Sequence, residues 1–295
     1  MKHLIHIGYP KAGSTFLKRW FEAHPEIAYD RQGFVGFRDL NALVRQCATP
    51  RPRPGCRVTS SEALATPHRF AGKLVDALDD GEPMLTDPAA QAEACALLAE
   101  IFPGAHILLV TRGFRSVIMS GFSQFVRTGG ELDFPGPRHP ESGSGAWNYD
   151  YLADIYSRAF GDRLIMLPYE LLRDDPAAFL GEIERRLGLG HFPPPAARLN
   201  PALSPTELRW YPRLTGFVRR VPVKGRLRRA LMRAWQPAIM DNRLRLLIVL
   251  LQFLRPAEPV TDALVTDEMV EYFRGRAEFA RGNPLYAPYA EDYLL

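Results

Sequence analysis

The residues best placed to do chemistry stand near the start of the chain. Gly8-Tyr9-Pro10-Lys11-Ala12-Gly13-Ser14-Thr15 sets one lysine between two glycines and follows them with two hydroxyls. A mostly apolar run over residues 4–7 leads in. Behind it, Phe16, Leu17, Trp20 and Phe21 recur at the spacing of one helix face. A strand, a short loop and a helix N-terminus in that order gather backbone N–H groups around one point. With the positive end of the helix dipole added, that is the make-up of an anion site.

The loop matches most of the nucleotide-binding pattern G-x-x-x-x-G-K-[ST]. It departs in one respect: Ser14 stands where a lysine would follow the second glycine, and the lysine lies inside the loop at Lys11. In nucleoside triphosphatases a loop hydroxyl and a strand-end aspartate hold Mg²⁺ against the phosphates. Here the clearest buried strand, His106-Ile107-Leu108-Leu109-Val110-Thr111, runs into Arg112, a cation where that acid would be; Asp87 is a weak substitute. These residue types predict an anion held without a metal. A glycine-bracketed loop is also a common turn, and a strand-ending arginine is commonly a surface residue. Both features falling on strand-to-helix junctions favours the binding reading.

Tyr9-Pro10-Lys11-Ala12-Gly13-Ser14-Thr15 resembles the 5′-phosphosulfate loop of the sulfotransferases that use 3′-phosphoadenosine 5′-phosphosulfate (PAPS). Arg112-Gly113-Phe114-Arg115-Ser116-Val117-Ile118-Met119-Ser120 resembles that family's 3′-phosphate segment, an arginine at a strand end with a serine on the next helix. Leu167-Pro168-Tyr169-Glu170-Leu171-Leu172, with Asp174-Asp175-Pro176, resembles a further segment common in the family. The resemblance implies a P-loop-like fold with PAPS as cosubstrate and no required metal. The reaction would move a sulfuryl group to a hydroxyl or amine of a small-molecule or glycan acceptor, lipid-linked glycans included. Backbone N–H groups of Ala12, Gly13, Ser14 and Thr15, with the two hydroxyls, would hold the 5′-phosphate. Lys11 would face the bridging oxygen, where charge grows as the S–O bond breaks. Arg112 and Ser120 would clasp the 3′-phosphate, which suits an arginine fork.

In-line transfer needs a group to take the acceptor's proton. Glu62, after Ser60-Ser61, resembles in position the catalytic histidine of cytosolic relatives; as an alternative it caps a helix or pairs with an arginine. Carbohydrate-type relatives place a glutamate after the first helix, where this chain offers Glu26 and Asp30. His24 and His68 are lesser candidates.

Arg213, Arg219, Arg220, Lys224, Arg226, Arg228, Arg229 and Arg233 form a basic run without an acid. Three uses stay open. It could be a solvated helix face, or a late loop closing over the PAPS phosphates through Lys224 and Arg226. With Leu227, Leu231, Met232 and Trp235 interleaved, it could instead touch an anionic membrane or an acidic glycan. Trp147, Tyr149 and Tyr151, after a Gly/Pro/Ser-rich loop over 129–145, could rim an acceptor pocket or belong to the core.

The remaining features set limits. The 295 residues suffice for one large domain or two small ones, and 37 basic against 33 acidic residues give a net charge of +4, which fits an anionic ligand without calling for nucleic acid. Cys47, Cys56 and Cys95 lack metal-ligand spacing and predict reduced thiols in the cytoplasm. The chain begins directly with a strand, which predicts no secretory leader. Residues 246–254 are the longest apolar stretch, interrupted by Gln252; they are too short to span a bilayer and predict a buried helix.

The positioning elements follow from pattern. Strands are predicted at 57–62, 83–88, 106–112 and 163–168, and helices at 67–78, 89–101, 116–126, 149–160 and 176–187. This alternation predicts a three-layer α/β fold with a central parallel sheet, residues 1–190. An arginine-rich helical extension, 191–295, would cover the ligand edge within the same domain. Two rival functions remain: a P-loop small-molecule kinase, and a non-catalytic nucleotide- or nucleic-acid-binding module using the arginine run.

Overall fold

The structure, a computed structural model, describes residues 2–9, 11–29, 55–61, 64–70, 73–75, 88–134, 147–195, 203–222 and 225–295. Strands β1 (His3–His6), β2 (Ile27–Tyr29), β3 (Cys56–Ser60), β6 (His106–Thr111) and β7 (Leu164–Pro168) form one sheet in the order β2-β3-β1-β6-β7. All its pairings are parallel, with Leu4 beside both Val58 and His106 and Leu109 beside Met166. β1 and β6 are fully buried from Leu4 and Ile107 onward, which explains their near-continuous apolar runs.

Helices α1 (Ser14–Ala23), α2 (Pro88–Ile101), α3 (Phe114–Arg127), α4 (Tyr149–Phe160), α5 (Tyr169–Asp174) and α6 (Pro176–Leu187) connect or follow these strands. Their ends have local causes. The Asn148 side chain accepts from Tyr151 N–H to start α4, and Asp175 accepts from Ala178 N–H to start α6. Gly188, at φ 64°, closes α6 in the left-handed conformation that glycine adopts without strain.

The predicted helix over 67–78 is overturned. His68–Phe70 (β4) and Lys73–Val75 (β5) pair antiparallel as a separate small sheet. The two strands are separated in sequence by Ala71-Gly72 alone, the spacing of a tight hairpin, and three-residue strands are too short to show a period of their own. The strand and turn predicted at 83–88 fall outside the described residues up to 87, and Pro88 opens α2.

The chain divides into two compact units. One comprises Met1–Phe114, Pro140–Leu199 and Tyr272–Leu295; the other, Arg115–His139 and Asn200–Glu271. The first holds the parallel sheet. The second is helical, with α7 (Pro205–Arg220), α8 (Gly225–Met240), α9 (Arg245–Leu254) and α10 (Asp267–Glu271). A capping box starts α7, Ser204 and Glu207 each bonding the other's backbone N–H. α7 and α9 are joined where Trp210 Nε1 donates to Gln252 Oε1 at 2.8 Å, and Trp235 of α8 donates to Thr215 Oγ1 at 3.0 Å. Among the described residues, no helix is long and apolar enough to cross a membrane.

Candidate active site

In an open parallel sheet, ligands bind beyond the strand C-termini where the strand order reverses. In this sheet that place lies between β1 and β6, and the lysine loop and Arg112 both emerge there. Ile7 and Tyr9 continue β1 past its end by donating to Leu108 and Val110 carbonyls at 2.9 and 3.3 Å. Tyr9 is fully buried, stacked on Trp147 at 4.8 Å and edge-on to Tyr149 at 4.9 Å. Trp147 and Tyr149 are thus core supports of the loop, not an acceptor rim. Tyr151 is half-buried and donates its hydroxyl to the Pro88 carbonyl.

The loop turns tightly. Ala12 N–H donates to the Tyr9 carbonyl at 3.2 Å, so the N–H groups left at the helix start begin with Gly13. Lys11 sits at φ 65° and is exposed, a left-handed conformation that costs a non-glycine residue on the order of 1 kcal/mol. Gly13 caps α1 at φ 83° with no side-chain cap, leaving the first N–H groups of α1 without intrahelical acceptors. A Cβ on Gly13 would come within 2.5 Å of Leu172 Cδ2, so α5 packs directly against the backbone there. Ser14 is buried and Thr15 exposed at the head of α1.

Under the loop lies a residue that the sequence pattern did not mark. His6 is fully buried; Ser60 Oγ lies 2.8 Å from its Nδ1, and its Nε2 has no hydrogen-bond partner among the described residues. A Cβ on Gly8 would lie 2.5 Å from that Nε2, which explains the glycine. Burial, with Lys18 adding to it, pushes the His6 imidazole down to about 3. Burial beside Arg57 pushes that of His3 down to about 4.

Arg112 is held from several sides. Its guanidinium donates to the Lys11 carbonyl and lies over the Tyr169 ring, 4.5 Å from the centroid. The Tyr149 hydroxyl donates to the Arg112 carbonyl at 2.7 Å and accepts its N–H at 3.3 Å. The next peptide is fixed as firmly: Gly113 N–H donates to Glu170 Oε1 at 3.0 Å. Tyr293 donates its hydroxyl to Glu170 Oε2 at 3.0 Å, while Thr111 Oγ1 lies 3.0 Å from Tyr293 and 2.9 Å from Tyr286. Glu170, Thr111 and Tyr286 are fully buried and Tyr293 nearly so. Burial raises the Glu170 carboxyl above its ordinary range, opposed by the bonds from Gly113 and Tyr293. The C-terminal segment also limits space, because a Cβ on Gly113 would lie 2.6 Å from Asp292 Cβ.

The other predicted site residues divide three ways. Ser120 lies on α3, half-buried, eight residues after Arg112. Glu62 and Lys224 lie outside the described residues, as do Asp30 and Asp87; Arg226 is in the first turn of α8. β3 does deliver the chain to the right edge: Ser61 N–H donates to the His6 carbonyl at 2.9 Å, beside the start of the loop. Glu26 and His24 are elsewhere. Glu26 Oε1 accepts Gly190 N–H, His24 Nδ1 accepts Glu26 N–H, and both follow the far end of α1, about 15 Å from its head for ten residues. In the basic run, Arg213 pairs with Asp133 at 3.1 Å and Arg219 donates to the Gly129 carbonyl at 2.9 Å.

The profile described as "Sulfotransferase family" matches residues 4–194, which include the loop, Arg112, Ser120 and Glu170. The chain belongs to the sulfotransferase family. No curated protein matches this sulfotransferase. Among solved structures it is similar to a sulfotransferase from Alicyclobacillus acidocaldarius, with 15% identity over 68% of this chain and 87% of that one, TM-score 0.48. It is also similar to the sulfotransferase domain from the curacin biosynthetic pathway, with 14% identity over 65% of this chain and 75% of that one, TM-score 0.42. Mouse sulfotransferase SULT7A1, complexed with PAP, matches at 13% identity over 65% of this chain and 60% of that one, TM-score 0.36. At these scores the likeness adds nothing to the family match.

Proposed function

We propose that this sulfotransferase takes its sulfuryl group from PAPS and passes it to a hydroxyl or amine, with a small molecule or a glycan, lipid-linked glycans included, as acceptor. The observation that carries the reading is the pairing at one sheet edge of the Lys11 loop with Arg112, whose guanidinium bonds the Lys11 carbonyl. A 5′-phosphate would take the uncapped start of α1, where the Gly13, Ser14 and Thr15 N–H groups lack intrahelical acceptors. PAPS supplies a sulfuryl group on a good leaving phosphate, and no metal is required in this scheme.

Each residue then has a task. Lys11 stabilises the charge that grows on the bridging oxygen. Arg112 takes the 3′-phosphate by charge-assisted bonds, and Ser120 joins it on the strength of the sequence resemblance. The Glu170–Tyr293–Thr111 network keeps the Arg112–Gly113 turn from moving. Glu62 is the proposed base, because β3 leads to this edge; its carboxylate would accept the acceptor's proton. Lys224 and Arg226 are proposed to close over the phosphates. We place the reaction in the cytoplasm, in keeping with Cys56 and Cys95, both buried unbridged thiols pushed up to about 11 and about 12 by burial.

The experiment is incubation of the full chain with sulfur-labelled PAPS and an extract of the source cell. A labelled product is expected, absent with Lys11→Ala. Phosphate transfer from ATP with Mg²⁺, and no sulfur label, would overturn the reading in favour of a kinase.

A further inference from the structure

Residues 245–254 do form a helix, but it is not the buried one their composition predicts. α9 reads Arg245-Leu246-Leu247-Ile248-Val249-Leu250-Leu251-Gln252-Phe253-Leu254. One side is satisfied: Ile248 is buried, Leu244, Leu251 and Gln252 are half-buried, and Gln252 bonds Trp210 of α7. The other side carries a second apolar stripe at the spacing i, i+3, i+4, i+7. There Leu246 is 85% exposed, Val249 59%, Leu250 52% and Phe253 81%. A helix at the surface of a soluble protein is polar on its outer face, and one that is apolar all round is buried in something.

Charge decides what that something is. From Arg213 to Arg255 the sequence holds eleven lysines and arginines and a single acid, Asp241; two of the cations are met by acids from an earlier segment, Arg213 by Asp133 and Arg219 by Glu131. Asp241 is paired with Arg243 at 2.6 Å. Exposed Arg245 and Arg255 bracket the apolar face at its two ends. A second copy of the same surface would bring like charges together, which disfavours self-association. An anionic bilayer takes both features, its acyl boundary accepting the leucines and phenylalanine and its phosphates the arginines. With ten residues α9 is about 15 Å long, against about 30 Å of hydrocarbon, so it would lie in the interface and not cross it.

We propose that α9 docks this protein on an anionic phospholipid surface, with Leu246, Val249, Leu250 and Phe253 entering the headgroup–acyl boundary and Arg245 and Arg255 contacting lipid phosphates. This is independent of the sulfuryl-transfer reading. It rests on the apolar stripe of α9 and on the two arginines at its ends.

The test is flotation of the full chain with two kinds of vesicle, phosphatidylcholine mixed with phosphatidylglycerol and phosphatidylcholine alone. Binding to the mixed vesicles is expected, weakened about tenfold or more on pure phosphatidylcholine and also by raised salt. The double variant Leu246→Gln/Phe253→Gln should lose about tenfold or more in binding while keeping the wild-type melting temperature. Arg245→Glu/Arg255→Glu, which leaves the apolar face intact, should lose binding to mixed vesicles as well; it serves as the readout if the first variant does not fold. Failure of the wild-type chain to float with mixed vesicles would overturn the proposal, as would equal flotation of both variants. A concentration-dependent dimer in sedimentation that Leu246→Gln/Phe253→Gln abolishes would assign the face to a second copy and overturn it too.

Discussion

At the ligand edge of the sheet unit, polar side chains are buried and bonded; on the outer face of α9 in the helical unit, large apolar side chains stand in water. Thr111, Glu170, Tyr286 and Tyr293 lose nearly all solvent and bond one another or the backbone of Gly113. Leu246 and Phe253 keep more than four-fifths of their exposure, at 85% and 81%. Each arrangement costs stability by itself. A buried carboxylate gives up its hydration, and an exposed apolar stripe gives up its burial. The first fixes a geometry, which suits holding an arginine against a phosphate. The second keeps a surface ready for another phase.

The comparison can be broken at several points. Lys11→Ala should have the largest effect, a fall in turnover on the order of 10²- to 10³-fold with nucleotide affinity changed far less, measured as kcat against the dissociation constant. An equal loss in both would make Lys11 only a binding residue. Gly13→Ala should destabilise the fold by about 2 kcal/mol or more in urea unfolding, since its φ is 83° and its Cβ would meet Leu172 at 2.5 Å. Wild-type stability there would show that α5 does not press on the loop.

Proton uptake comes next. His6 and His3 are neutral in the fold, at about 3 and about 4, against an ordinary value of 6.5. Because the folded values are lowered, their contribution is complete above pH 6.5 and is lost as pH falls through the window toward those values. For His6 alone the loss should reach about 2 kcal/mol by pH 5, read from urea midpoints at pH 7, 6 and 5. A flat profile would contradict the buried neutral ring.

Tyr293→Phe should cost about 1–3 kcal/mol by leaving Glu170 Oε2 without its donor. If the network positions Arg112, affinity for adenosine 3′,5′-bisphosphate should fall more than affinity for adenosine 5′-phosphate; parallel losses would mean plain destabilisation. Smallest of all, Leu246→Gln/Phe253→Gln should change stability by no more than about 0.5 kcal/mol, since these side chains touch little in the isolated chain.

Much of this was legible in the sequence where signals are local. The apolar run at 106–111, the periodic stretch 149–160 and the Gly188 stop carry their own evidence, and the structure has elements at those places. The loop lysine and the strand-ending arginine stand out by type and spacing, and the structure brings them into contact. What the pattern hid was set by distant partners. Tyr293 meets Glu170 across 123 residues, and nothing near either marks the contact. Residue type leaves Trp147 between a binding rim and the core, and only its stacking on the distant Tyr9 decides for the core. Composition predicts a buried apolar helix over residues 246–254 but carries no information on what covers each face, and one of its stripes is exposed.

Calorimetric titration with adenosine 3′,5′-bisphosphate in the presence of a chelator tests the central claim most directly. Tight binding without Mg²⁺, weakened about tenfold or more by Arg112→Ala, is the predicted result. Preference for ATP with Mg²⁺, or affinity unchanged by Arg112→Ala, would contradict it.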